Sequence, residues 1–307
     1  MTRLRARTIP VYAATALGLV ALLLGGPGLR AQETRVYDNG LFQLDPTIPG
    51  NADIIGSPGI PSEAGPDWED LFDAEGKLRD EAPANGIPDY VDLYGGQWAV
   101  FTADDVSRGA AVDFTARQGD RVVNGMVDEQ NDLSNAYVYS TFDPLGNLVL
   151  YAGAERLSSD DSWIEWEFNQ AHIRLGRGGY GRGEPWEITG GNLDGDLLVR
   201  LSFEGGFPAN LKIWVWDETE GWDRIENFDG EDCNAEQTVC VVANGQEIDG
   251  GPWPNFDSGG DPELITPYRF AELGANVGAL LGYQPAYTSI QLRTPTDIAF
   301  GYFAEGN

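Results

Sequence analysis

Histidine, cysteine and positive charge are what this chain has least of, and each shortage removes a class of chemistry. One histidine, His172, stands in 307 residues. A Ser-His-Asp triad is formally allowed, but no G-x-S-x-G elbow accompanies it, and His172 falls in a stretch that reads as strand. No zinc spacing, P-loop or strand–glycine loop–helix unit of the dinucleotide-binding kind is present. The two cysteines, Cys233 and Cys240, do not form C-x-x-C, and no other metal ligand of the usual kind is spaced to join them. In an oxidising compartment an even pair in one short acidic run is expected to bond to itself. Such a loop adds about 2–3 kcal/mol on the chain-entropy model.

Lysine and arginine number 19 against 49 aspartate and glutamate, a net charge of −30. A surface of that sign repels nucleic acid and anionic membranes and keeps the chain in solution. It suits a saline habitat, and it offers carboxylates to Ca²⁺, although a charge excess by itself is a solvated surface.

Long apolar runs are also scarce. The single one, Val11 to Leu24, follows Arg3, Arg5 and Arg7 and is broken by Gly25-Gly26-Pro27-Gly28. That order predicts a secretory signal over residues 1–31, cut after Ala31. An uncleaved anchor is the alternative, since the run approaches the length of a span. No cysteine follows it to carry a lipid. Removing four arginines and no acid takes the charge from −30 to −34. The expected location is secreted or extracellular, or periplasmic if the protein is retained, with no membrane span after cleavage.

Beyond the leader, Val36–Leu44 reads as a first strand, and residues 32–98 as a loop-rich N-terminal wrap. Within the wrap, Pro66-Asp67 announces a short helix over Trp68–Phe72. Trp68, Phe72, Tyr90, Tyr94 and Trp98 are too many aromatics for a disordered linker. From residue 99 to 307 strand grammar dominates. Tyr137–Phe142 and Leu148–Tyr151 flank Asp143-Pro144-Leu145-Gly146-Asn147, a hairpin signature. Trp163–Leu175, Asp196–Glu204, Leu211–Trp216, Thr238–Ile248 and Thr288–Phe303 read likewise. Gly178-Gly179, Gly190-Gly191-Asn192, Gly205-Gly206 and Asn244-Gly245 supply turns. Phe270–Leu281 starts as strand and ends with one helical turn. Many short strands with Gly-rich turns predict an all-β fold of jelly-roll or sandwich type.

Alternation assigns faces. Leu211, Ile213 and Val215 suit a core, whereas Lys212, Trp214 and Trp216 present rings beside a cation. Ile164, Trp166 and Phe168 share one face of their strand; Trp163, Glu165, Glu167 and Asn169 share the other.

From about Leu41 onward the chain resembles a group of secreted bacterial proteins of unassigned function. The likeness rests on the order of Asp67-Trp68, Leu148–Arg156 ending Tyr-Ala-Gly-Ala-Glu-Arg, Trp163–Gln170, Gly195–Val199 with Phe203 and Gly205-Gly206, and Leu211–Trp216. It implies a concanavalin A-like β-sandwich and export, and brings no established activity.

Glu165 and Glu167 are the sharpest chemical candidates. A retaining glycosidase needs two carboxyl groups about 5–5.5 Å apart. Laminarinase-like enzymes of concanavalin A-like fold carry E-x-D-x-x-E on one strand. Here the run is Glu165-Trp-Glu167-Phe-Asn-Gln170, and Gln170 at the acid position cannot protonate a leaving oxygen. The plainer reading puts both glutamates on the solvent face of an outer strand, paired with Arg156 or Arg174. A third makes them part of a ligand-binding face with Trp163, Trp214 and Trp216, whose rings are otherwise core or edge cover. No cofactor is expected, unless Ca²⁺ at Asn192, Asp194 and Asp196, where hard oxygens alternate around a Gly turn. Asp143–Asn147 and Asp104-Asp105 are weaker candidates, and Asx turns explain all of these residues as well. The Gly/Arg-rich run from Gly176 to Gly183 reads as a flexible hairpin loop, with an anion grip as the alternative. The expected role is a non-enzymatic binding or structural protein, with extracellular glycan as the partner. A glycoside hydrolase and a matrix component are the alternatives.

Overall fold

The structure, a computed structural model, describes residues 36, 41–44, 66–72, 100–102, 114–115, 121–124, 131, 133–171, 174–175, 186–229, 238–252, 264–295 and 298–302. Helix α1 (Trp68–Leu71) comes first. Strands β1 (Val100–Thr102), β2 (Phe114–Thr115), β3 (Arg121–Asn124), β4 (Leu133–Phe142), β5 (Leu148–Arg156) and β6 (Ser162–Asn169) follow. Next come β7 (Arg174–Leu175), β8 (Trp186–Thr189), β9 (Leu197–Glu204), β10 (Phe207–Asp217) and β11 (Gly221–Asp229). The chain continues through β12 (Val239–Ala243), β13 (Ile248–Asp249), β14 (Leu264–Ile265) and β15 (Phe270–Asn276). Helix α2 (Val277–Leu281), β16 (Ser289–Arg293) and β17 (Ile298–Tyr302) complete it. The protein is all-β, and every strand pair among the described residues is antiparallel.

Two sheets dominate. One has five strands in the order β1-β4-β5-β15-β12; the other has six, β11-β10-β9-β6-β16-β17. Local chemistry sets their hairpins. Between β4 and β5, Asp143 Oδ1 accepts the Leu145 and Asn147 amides at 2.9 and 2.8 Å, and Gly146 takes the positive φ of 83° that closes the turn. Between β9 and β10, Gly205 and Gly206 adopt φ of 63° and 84°, the left-handed pair of a two-residue hairpin.

In the six-stranded sheet the core face runs through register partners Ile164–Leu201–Leu211 and Trp166–Val199–Ile213, with Ile290 and Leu292 beyond β6. All of these are buried, as the alternation in the sequence requires. The same continuous apolar cluster takes Val138, Leu150, Ala152, Leu273 and Val241 from the five-stranded sheet.

That second sheet is buried on both faces. Every residue of β5 and β15 is out of solvent. Tyr137, Tyr139 and Tyr151 point to the face covered by the N-terminal segment. Phe42 stacks on Tyr151 with ring centroids 4.7 Å apart, and Trp68 meets Tyr137 at 5.4 Å. Burying side chains of this size contributes about 1.5–3 kcal/mol each, so the wrap is part of the core. Gly274 makes the close approach possible. A Cβ there would lie 2.9 Å from Leu44 Cδ2 and 3.1 Å from Val36 Cβ.

Four sequence expectations change. Val36 and Leu41–Leu44 form bends and irregular chain where a strand is predicted, and the Gln43 amide bonds the Pro66 carbonyl (2.9 Å) rather than a ladder. Thr288–Phe303 is two antiparallel strands, β16 and β17, since Thr294 and Pro295 interrupt it. Trp163–Leu175 divides between β6 and β7, which belong to different sheets. Thr238–Ile248 divides into β12 and the start of β13 around Asn244, whose side chain holds the bend by accepting the Phe270 amide and donating to the Thr266 carbonyl. The strand-then-helix reading of Phe270–Leu281 stands as β15 and α2, with Asn276 capping the helix start at 3.0 Å and Gly282 ending it at φ 76°. The signal segment, Tyr90, Tyr94, Trp98, Asp104-Asp105, His172, Gly176–Gly183 and Cys233 lie outside the described residues.

Candidate functional site

Strand β6 carries the candidate residues, and its place in the sheet decides their environment. It is interior, with β9 on one side and β16 on the other. The face opposite the core therefore brings three strands' polar side chains together. Glu165 stands directly between Arg200 of β9 and Arg293 of β16, and Glu167 lies opposite Gln291.

The solvent-face expectation for the two glutamates is overturned. Glu165 and Glu167 are 1% and 2% exposed, Asn169 and Gln291 equally buried. Arg156 is not among their described partners either. Arg156 belongs to β5, where its guanidinium donates to the carbonyls of Asp160 and Tyr268 and lies 3.7 Å over the Phe203 ring. Arg174 is on β7, in the four-stranded sheet β2-β3-β8-β7. Instead Arg200 Nε donates to Glu165 Oε2 at 2.6 Å, and Arg293 Nη1 lies 3.3 Å from Glu165 Oε1. Arg293 Nη2 is paired with Glu167 Oε2. Glu167 Oε1 accepts from Asn169 (2.8 Å), Asn192 (3.0 Å) and Gln291 (3.1 Å). Two buried acids thus share two arginines and three amides. A charge this deep survives only when so paired.

Each of the calcium candidates is engaged within the protein. Asn192 turns its amide to Glu167, and Asp194 Oδ1 accepts the Glu218 amide at 2.6 Å. Asp196 is buried beneath the turn, where Oδ1 takes the Gln170 amide at 2.8 Å and Oδ2 the Leu193 amide at 3.0 Å. Burial raises the Asp196 pKa above the usual aspartate value against the lowering effect of those donors. Among the described residues no group of three or more His, Cys, Asp or Glu side chains is placed to hold a metal ion. Asp143 likewise serves its own turn and accepts from Asn276 at 2.9 Å.

The three tryptophans do share the exposed part of the polar face. Trp163, Trp214 and Trp216 are all half-buried. Arg200 sits between the first two, its guanidinium carbon 4.5 Å from the Trp163 ring and 5.3 Å from Trp214. Trp216 meets Trp222 of β11 edge-on at 5.3 Å. Cation–π stacking of this kind fixes the rings while leaving part of their surfaces open.

Sequence reasoning missed a second acidic pair, Glu155 and Glu272, under the wrap. Both are fully buried. Tyr137 Oη donates to Glu155 Oε1, Asn135 Nδ2 to Oε2 at 2.8 Å, and Trp68 Nε1 donates to Glu272 Oε1 at 2.5 Å. Desolvation lifts the Glu155 carboxyl from 4.5 to about 7 despite its three hydrogen-bond donors. It also holds the Tyr137 hydroxyl well above its usual value, with Glu155 and Glu272 adding to the rise. No signal short of the pairing of β4, β5 and β15 brings these residues together.

Cys240 is buried in β12 and is not a free thiol. No helix of the described residues is long and apolar enough to cross a membrane. No family model, curated protein or solved structure matches the chain.

Proposed function

We propose that this is a secreted, non-enzymatic binding protein whose concanavalin A-like β-sandwich presents the polar face of the six-stranded sheet to an extracellular glycan. The observation that carries the non-catalytic half is the occupancy of the glutamates. Each oxygen of Glu165 and Glu167 faces an arginine or an amide donor. A nucleophile or general acid must be presented to a substrate, and both carboxylates are instead buried with each oxygen already engaged by the protein. The binding half is supported by Trp163, Trp214 and Trp216, whose half-open rings form flat apolar surfaces of the kind on which sugar rings rest. Export is supported by the basic–apolar–small order of residues 1–31, and a Cys233–Cys240 bond fits that compartment.

A glycan array probed with the mature chain tests this reading. Binding that disappears in Trp214→Ala, with no glycan cleaved, is the expected result. Hydrolysis lost in Glu165→Gln would establish the enzyme instead, and an array with no bound glycan would favour the matrix role.

A further inference from the structure

Resting on that carbohydrate reading, we propose that the polar face of the six-stranded sheet selects an anionic glycan, one bearing carboxylate or sulfate groups. The argument is charge placement against the grain of the whole chain. Acids outnumber bases 49 to 19, yet the open part of this face is cationic. Lys212 of β10 is the direct cross-strand partner of Arg200, and Arg224 of β11 is the partner of Trp214. Cross-strand partners share a face, so Arg200, Lys212 and Arg224 surround the Trp214 ring. Trp163 and Trp216 lie beside them on the same surface.

The acids of this surface are accounted for differently. Glu165 is buried between two arginines; Glu204 and Asp229 stand at the far end of the face on strands either side of Asn210, Asp229 as its register partner and Glu204 accepting from it at 3.4 Å. Asn227, an uncharged residue, stands opposite Lys212. The neighbouring acids Asp223 and Glu226 pair with Val215 and Ile213, positions of the opposite face. Among the described residues neither Lys212 nor Arg224 meets a carboxylate within ion-pair distance. Arg224 is exposed and Lys212 half-buried.

Four adjacent strands at about 4.8 Å spacing make a stripe roughly 15 Å wide, enough for several sugar rings. Tryptophan faces bind the rings without regard to charge. The cations between them supply what a neutral sugar cannot use: point charges for an acidic group, in a protein whose remaining field repels anions. Acidic lipid carries anions without flat apolar faces, whereas single-stranded nucleic acid carries both anions and bases that stack on tryptophan, so single-stranded DNA is the competitor the test must separate.

The test measures binding of the full mature chain to polygalacturonate, dextran sulfate, uncharged dextran and single-stranded DNA, at low salt and at 0.5 M NaCl. Polygalacturonate or dextran sulfate is expected to bind at least ten-fold more tightly than dextran and DNA, and the response of each reports which acidic group is preferred. Affinity should fall several-fold with salt. The double substitution Lys212→Ala/Arg224→Ala removes one half-buried and one exposed side chain. It should cost ten-fold or more on the charged polymer, with an unchanged circular dichroism spectrum. Equal binding of dextran overturns the charge selectivity and leaves the carbohydrate reading standing. DNA bound as tightly as the charged polysaccharides overturns the inference in favour of an unselective cation patch. Binding of no polymer overturns both readings.

Discussion

Glu155 is fully buried, bonded to Tyr137 and Asn135 and one step diagonal from Glu272 across β5 and β15. Its carboxyl rises from 4.5 to about 7 because burial penalises the charge more than its donors favour it. A raised acid stabilises the fold fully below its unfolded pKa and loses that contribution as pH climbs through the folded one. Stability should therefore decline from about pH 4.5 to about pH 7, by up to roughly 3 kcal/mol from this group. Thermal unfolding of wild type and Glu155→Gln across that window checks it, the variant being the flatter. Glu165 makes a different prediction. On a solvent face, Glu165→Ala would change stability by no more than about 0.5 kcal/mol. Buried between Arg200 and Arg293, it takes a carboxylate from both guanidinium groups, Arg293 keeping Glu167, and a loss of about 3 kcal/mol by urea unfolding is expected.

At the level of elements, the five-stranded sheet is covered by a segment whose described residues form no ladder with it. The wrap holds by shape: rings of Phe42 and Trp68 on Tyr137, Tyr139 and Tyr151, and a glycine where the backbones come closest. Gly274→Ala places a methyl 2.9 Å from Leu44 and 3.2 Å from Tyr151. The backbone of β15 is too firmly paired to yield, so the wrap must shift, costing about 1–3 kcal/mol. Protease cleavage should then begin in the N-terminal segment before the sheets unfold, which a time course followed by mass spectrometry would reveal. The hairpins were legible from residues 143–147 and 205–206 because their turn chemistry is local. The wrap's irregular path was not, since Val36–Leu44 has strand composition and only its docking on three tyrosines sets its course.

For the whole molecule, a net charge of −30 admits the proposed anionic ligand only where charge is sorted by place. The six-stranded sheet does that sorting: acids on its polar face are buried or peripheral, and cations stand open beside tryptophan. If Cys233 and Cys240 are bonded as their spacing implies, reduction under native conditions should lower stability by about 2–3 kcal/mol. Alkylation and intact-mass measurement before and after reduction would show whether the bond exists.

The amino-acid sequence by itself determined the β character, the hairpin turns at residues 143–147 and 205–206, and which residues of Ile164–Phe168 and Leu211–Ile213 face the core, because those follow from alternation with a period of two and from local turn chemistry. It also placed Trp163, Glu165 and Glu167 on one side of a strand. Only the tertiary structure decided that β6 is an interior strand. That position turned a presumed solvent face into a buried ion-pair network with Arg200 and Arg293, distant in sequence and adjacent through register. Strand order depends on which sheets form, and no single strand carries that information.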